Sequence, residues 1–240
     1  MHKIIITSVL VAIQFIALAQ NETKPTQHVD LALSYGPQEF NGSLASSRLH
    51  SVTKGKKFQI GYGLRYNGYI GQDKDYVTAP AYLTSGEKGP QVLFIENIQE
   101  NIDTFRVQNA QHNSVNAVIY LGYQFNPKWS VGFNIDAVGI AFGNKIDGEI
   151  ISSNKPMPGS DIQGASPTRL NALLISDNDI GMLNSELYTT YNIKNNLSVK
   201  AGFTFLFTEY TTENKIAYND NNDRFRYKSL MGMIGIQLNL

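Results

Sequence analysis

His112 and Ser114 stand two residues apart in a run that alternates apolar and polar side chains, so a strand through them carries an imidazole and a hydroxyl on one face. A base and a nucleophile on one face are the minimal kit for hydroxyl-centred catalysis. The acid that would orient the imidazole has a single nearby candidate, Asp136, on the following run. A polar histidine where a strand meets a loop needs no catalytic reason, however. The chain is therefore expected not to be an enzyme, with His112, Ser114 and Asp136 as the catalytic alternative.

Other chemistry is excluded by residue type or spacing. The stretch Asn214 to Asp223 is rich in oxygen ligands at Asp220, Asn221, Asn222 and Asp223, but it lacks EF-hand spacing and a closing bidentate glutamate, so it reads as a solvated loop tip. There is no cysteine, which removes disulfides, thiolate metal sites, cysteine nucleophiles and the acylated cysteine of a bacterial lipoprotein. No phosphate-cradling glycine pattern, His-rich metal pattern or catalytic-serine elbow occurs. No cofactor and no metal are expected. Lys and Arg number 20 and Asp and Glu number 20, so no charge bias favours nucleic acid as a partner.

The elements that must position these residues are strands. Val115, Ala117, Ile119, Leu121, Tyr123 and Phe125 alternate with polar residues up to Asn126-Pro127-Lys128, and Trp129, Val131, Phe133, Ile135 and Ala137 alternate after it. The pattern returns at Leu183 to Ile193, the turn Lys194-Asn195-Asn196, and Leu197 to Thr211, where Leu197, Val199, Ala201, Phe203, Phe205 and Phe207 share a face. A last run, Arg224 to Leu240, alternates Leu230, Ile234, Ile236, Leu238 and Leu240 with other residues. Earlier, Val29 to Tyr35 predicts a first strand stopping at Gly36-Pro37, Gln38 to Lys54 a polar connection, Lys56 to Ile70 a second strand, and Gly71-Gln72-Asp73-Lys74 a tight turn. Tyr76 to Leu83 is expected as a third strand, bent at Pro80, and Gln91 to Ile95 with Thr104 to Val107 as an extramembrane hairpin.

Period-two alternation, with tight turns at one end and long connections such as Gly143 to Asp179 and Thr212 to Asp223 at the other, predicts an all-β fold. It is a closed antiparallel transmembrane β-barrel of eight strands, ten being the alternative, with short periplasmic turns and long extracellular loops. Every short turn is expected on the periplasmic side. The apolar set would then face lipid, with Tyr123, Phe125, Trp129 and Tyr191 gathered near strand ends at headgroup level. The competing arrangement is a soluble lipocalin-like barrel with the apolar face inward. The opposite face is rich in Gly, Ser, Asn and Gln and carries few charges, chiefly Asp30, Arg65, Asp136, Glu186 and Lys200. An eight-stranded barrel is just wide enough for side chains to fill. These five are expected to form a lumenal ion-pair network that plugs the barrel, since buried charges must be paired.

At the N-terminus His2 and Lys3, the apolar run Ile4 to Ala17 and the small-x-small site Ala17-Leu18-Ala19 predict a cleaved signal peptide over residues 1–19. A periplasmic tail over 20–27 and one barrel domain over 28–240 follow.

The segments Leu121-Gly122-Tyr123-Gln124-Phe125-Asn126-Pro127-Lys128-Trp129-Ser130-Val131-Gly132-Phe133 and Tyr191-Asn192-Ile193-Lys194-Asn195-Asn196-Leu197-Ser198-Val199-Lys200-Ala201-Gly202-Phe203 share one hairpin style. In that style the whole mature chain resembles the outer-membrane β-barrel proteins of Bacteroidetes-type bacteria. The resemblance implies a Gram-negative cell outer membrane, contact with its lipid and lipopolysaccharide, and insertion by the barrel assembly machinery. Many such barrels end in Phe or Trp, whereas this chain ends in Leu240. The His-x-Ser at His112 and Ser114 also resembles that of lipid A deacylases, though Val115 separates it from the Asn116-Ala117 that follows. A structural or surface-interaction role through extracellular loops, toward an unnamed extracellular ligand, is the leading expectation. A small passive passage for apolar or small polar solutes and a lipid A-modifying enzyme are the alternatives.

Overall fold

The computed structural model describes residues 25–53, 55–86, 98–152, 161–174, 178–216 and 221–240. Eleven strands occur among them: β1 (Thr26–Gly36), β2 (Glu39–Ser51), β3 (Phe58–Thr78), β4 (Thr104–Gln124), β5 (Trp129–Phe142), β6 (Ile146–Ile151), β7 (Asp161–Pro167), β8 (Leu170–Ala172), β9 (Leu183–Lys194), β10 (Leu197–Ile216) and β11 (Asn222–Asn239). Eight close a ring in the order β1-β2-β3-β4-β5-β9-β10-β11, with β11 returning antiparallel to β1 through His28↔Asn239 to Tyr35↔Gly232. Closure of the eight leaves no free edge along the belt.

The apolar face points out. Ile234 is 68% exposed, Leu64 62% and Phe203 59%, amid a belt that includes Leu33, Leu44, Ile119, Ile140, Leu187 and Leu230. So many large exposed apolar side chains in one band have no place in water and fit a hydrocarbon environment. The lipocalin-like arrangement is thereby excluded. At the lower rim Trp129 packs on Tyr191, ring centroids 4.8 Å apart, and Tyr123 on Phe125 at 5.2 Å, which places the amphipathic rings at one end of the belt.

The count of eight holds, but not the strands assigned to it in the first third of the chain. Gln38 to Lys54 is not a loop; it contains β2. Its inward residues are Glu39, Asn41, Ser43, Ala45 and Ser47, and its outward set is diluted by Gly42, Ser46 and Arg48, so hydrophobic alternation is too sparse to see. The β1–β2 connection is only Pro37 and Gln38, with Gln38 at φ 55°, the φ signs of a type II turn. A short turn thus lies on the outer side, against the expected sorting. Gly71-Gln72-Asp73-Lys74 does not turn the chain, because β3 runs through it to Thr78. Tyr76 to Leu83 is the end of β3 followed by a helical turn, Ala81–Thr84, and not a third strand. Thr104 to Val107 opens β4 and pairs with Val77 to Lys74 of β3. The proposed partner Gln91 to Ile95 lies outside the described residues, as does the segment 1–19. β1 starts at Thr26, two residues before the expected domain boundary.

Above the belt the wall narrows. β3 and β4 continue past the β1–β2 turn; β4 pairs with β6, β6 with β7, β7 with β10, and β11 reaches back to β3 at Phe225↔Thr78 and Arg226↔Val77. With β10–β11 these pairings close a second, six-stranded ring on top of the first, a crown. Its polarity is reversed. Tyr76, Phe105, Ile150, Ala165, Tyr210 and Phe225 fill its interior as a hydrophobic core, while Asp75 and Arg106 form an exposed ion pair outside at 2.9 Å. On β3 and β4 the switch is made by a paired slip of phase: Gln72 and Asp73 are both exposed, as are Gln108 and Asn109 opposite them. Asp73 takes the left-handed φ of 48° that lets the strand gain its extra half-step.

Candidate functional site: the barrel lumen

The five charged residues singled out on the polar face come from β1, β3, β5, β9 and β10, and all are nearly inaccessible, from 0% exposed for Asp136 to 5% for Asp30. The structure strings them into one chain of alternating sign. Lys200 Nζ lies 3.2 Å from Asp30 Oδ1 and 3.3 Å from Glu186 Oε2; Arg65 Nη1 lies 3.1 Å from Glu186 Oε1; and Arg65 Nη2 and Nε donate to Asp136 Oδ1 at 2.6 and 2.9 Å. The order Asp30–Lys200–Glu186–Arg65–Asp136 therefore spans the lumen without placing like charges side by side.

Neutral partners absent from the sequence reading complete the network. Asp136 Oδ2 accepts from Asn116 Nδ2 (2.7 Å), the Asn184 backbone N–H (2.9 Å) and Asn67 Nδ2 (3.3 Å). Asn134 accepts from Arg65 through Oδ1 (2.7 Å) and donates to Glu186 through Nδ2 (2.8 Å). Lys200 also sits over the Tyr188 ring, 4.1 Å from its centroid. Tyr188 is accommodated because Gly132 faces it: a Cβ there would stand 2.5 Å from the ring. The sequence does carry a signal for these asparagines, since each occupies an inward phase of an alternating run, but an uncharged amide does not announce its partner.

A bulge delivers Asp136. The register of β4 on β5 slips between Ala117↔Val138 and Val118↔Asp136, so Ala137 is the extra residue. Outward positions before it are Phe133 and Ile135; after it they are Val138, Ile140 and Phe142. The adjacent apolar pair Ala137-Val138, which breaks the alternation, is the trace of that bulge in the sequence.

The structure does not bring His112, Ser114 and Asp136 together as base, nucleophile and orienting acid. His112 is fully buried; its Nε2 lies 3.3 Å from the Tyr76 hydroxyl, and its ring centroid is 4.2 Å from that of Tyr210. Ser114 Oγ instead accepts from Asn116 (3.1 Å) and Asn67 (3.2 Å). Asp136 is committed to Arg65 and three amide donors. Of the oxygen-rich loop, Asp220 lies outside the described residues. Asn222 is turned onto the Arg224 carbonyl at 3.1 Å, and no cluster of His, Asp or Glu suited to a metal occurs among the described residues.

A second ionic group sits on the crown. Glu209 is buried and accepts from Arg224 Nε (2.7 Å) and Arg226 Nη2 (3.0 Å), and both arginines donate to the Asp179 carbonyl, which pins the connection between β8 and β9 to β11. Outside, Glu213 at 2.6 Å from Lys145 holds that ammonium above its ordinary pKa through a hydrogen bond and opposite charge.

No family model and no curated protein matches the sequence. Among solved structures, the Neisserial surface protein A is 8% identical, with 90% of this chain and 96% of that one covered and a TM-score of 0.36. The outer membrane protein Ail of Yersinia pestis, in a phospholipid bilayer nanodisc, is 10% identical, with 90% and 100% covered and a TM-score of 0.35. A major outer membrane protein of Thermus thermophilus is 13% identical, with 91% and 100% covered and a TM-score of 0.41. The architecture stands on the strand registers of this chain: a closed antiparallel barrel, apolar outside and polar within, which is the build of the outer-membrane type.

Proposed function

We propose that this protein is an integral outer-membrane barrel that conducts nothing and serves as a rigid anchor presenting a folded crown to the outside of the cell. One observation carries the reading: two layers of side chains lie in series in the interior, the ion chain from Asp30 to Asp136 at belt level and the aromatic core around Tyr76, Phe105, Tyr210 and Phe225 above it. A wall that spends charged side chains and a hydrophobic core on closing its own lumen is built for placement and not for passage. Its length outside the belt goes into an ordered platform, where barrels carry recognition. In this reading lipid and lipopolysaccharide surround the belt, the barrel assembly machinery inserts it, and the crown meets an extracellular ligand or envelope polymer. The protein reconstituted in a planar bilayer should show no stepwise conductance. Large, steady single-channel steps would overturn the closed lumen and return the passive-passage reading.

A further inference from the structure

We propose that a groove on the outer wall, where eight strands give way to six, binds a membrane glycolipid with an uncharged, hydroxyl-rich headgroup. The groove exists because the β1–β2 connection is so short. That hairpin stops at Gly36↔Glu39, while β3 and β4 rise beyond it from Gly71↔Ala110 to Val77↔Thr104, leaving a step in the wall. A cavity of about 440 Å³ occupies the step, within the range of small-ligand sites.

Its lining is divided. Tyr35 (72% exposed), Ile70 (56%) and Phe40 (36%) form an apolar part continuous with the belt below. Gln38, Gln72, Asn109 and Gln111 form an upper part of carboxamides at the level of the phase slip. Each carboxamide offers both donors and an acceptor, the two-sided chemistry of a sugar hydroxyl. The side chains of Gln38, Gln72 and Asn109 make no hydrogen bond to any other described residue, whereas Gln111 Oε1 accepts from the Asn144 backbone at 3.3 Å. No lysine or arginine lines the groove. Its one charged residue, Glu39, is already committed: it accepts from the Ser229 hydroxyl (2.5 Å) and the Tyr69 hydroxyl (2.9 Å) and lies 3.6 Å from the Lys74 ammonium. An anionic headgroup would find no cation in the lining, since the nearby Lys74 is paired with Glu39, while a glycosyl headgroup meets the unbonded amides of Gln38, Gln72 and Asn109. A lipid, unlike a free saccharide, also covers the apolar half.

The inference rests on the membrane placement proposed above, and one experiment separates the two. The protein is reconstituted into phosphatidylcholine nanodiscs containing equal minor amounts of monogalactosyl diacylglycerol, phosphatidylglycerol and phosphatidylethanolamine, and lipids retained on release are counted by native mass spectrometry. The galactolipid should be retained preferentially, and the pair Gln72→Leu and Asn109→Leu should reduce its retention about tenfold, the loss of two modest hydrogen bonds. Gln108→Leu, beside the groove but outside it, should change nothing. Equal retention of the three lipids, preference for phosphatidylglycerol, galactolipid retention indifferent to the Gln72 and Asn109 changes, or its displacement by free methyl galactoside would each overturn the proposal. Failure of the protein to enter nanodiscs at all would sink the membrane placement itself and this site with it.

Discussion

Arg65 is the hinge of the lumen. Its guanidinium uses Nε, Nη1 and Nη2 to hold Asp136, Asn134, Glu186 and the Asn184 carbonyl, so its fork geometry serves strands β5 and β9 at once. Replacing it with methionine leaves Asp136 and Glu186 without that cation, and an uncompensated buried charge costs about 3–5 kcal/mol. Urea unfolding of Arg65→Met in vesicles should show a loss of that order. The double change Arg65→Met with Asp136→Leu should recover a good part of it, because removing both partners of a pair leaves less charge stranded. A double variant as unstable as the single one would mean that Arg65 acts by shape and not by charge. Lysine would not substitute for it, since a point charge cannot reach both carboxylates and two amide oxygens. The five charges were legible in the sequence because a charged residue in an otherwise small and polar phase is conspicuous. Their order was not, because it depends on which strands face each other across the lumen.

The strands show how far period-two reading goes. From β4 onward, alternation is dense and the cores of β4, β5, β9, β10 and β11 stand where the residues put them, whereas β6, β7 and β8 lie inside the expected connection Gly143 to Asp179. In β2 the outward positions include Gly42, Ser46 and Arg48, and the same reading finds only a polar connection. Apolar density, not strand propensity, is what the eye detects. The stretch around Asp73 is a different kind of miss: its residues do carry turn chemistry, but they spend it on a left-handed half-step within β3. The direction of the outer face has a direct test. Phe203 is 59% exposed on the belt, and Phe203→Arg should cost about 2–4 kcal/mol if it sits near the bilayer midplane. By contrast Gln108→Arg, on the exposed face of the crown end of β4, should stay within about 0.5 kcal/mol, as surface changes do. Equal costs at both positions would contradict the division of the wall into belt and crown.

At the scale of the whole molecule two solvents are answered by one continuous wall. In the belt, hydrocarbon outside requires apolar residues outward and leaves polar ones to satisfy each other within. In the crown, water outside restores the ordinary arrangement, with a core of Tyr76, Phe105, Tyr210 and Phe225. Phe105 is fully buried there and packs at 5.6 Å from Phe225. Phe105→Ala, a change that typically costs about 3–5 kcal/mol, should loosen the crown alone. Hydrogen exchange would then quicken in β6 and β7 while β1, β2 and β9 keep their protection. Uniform loss of protection would show instead that crown and belt unfold as one unit. The sequence by itself determined the belt: closed, antiparallel, apolar outward along β4, β5, β9, β10 and β11, with five charges on the opposite face. Alternation and the turns at Asn126-Pro127-Lys128 and Lys194-Asn195-Asn196 are local properties, readable along the chain. Tertiary structure alone decided the narrowing from eight strands to six, the reversal of polarity at Gln72-Asp73 and Gln108-Asn109, the order of the ion chain and the groove beside the short turn. Each of these depends on which distant strands become neighbours, and ring closure sets that through registers that no single stretch of residues contains.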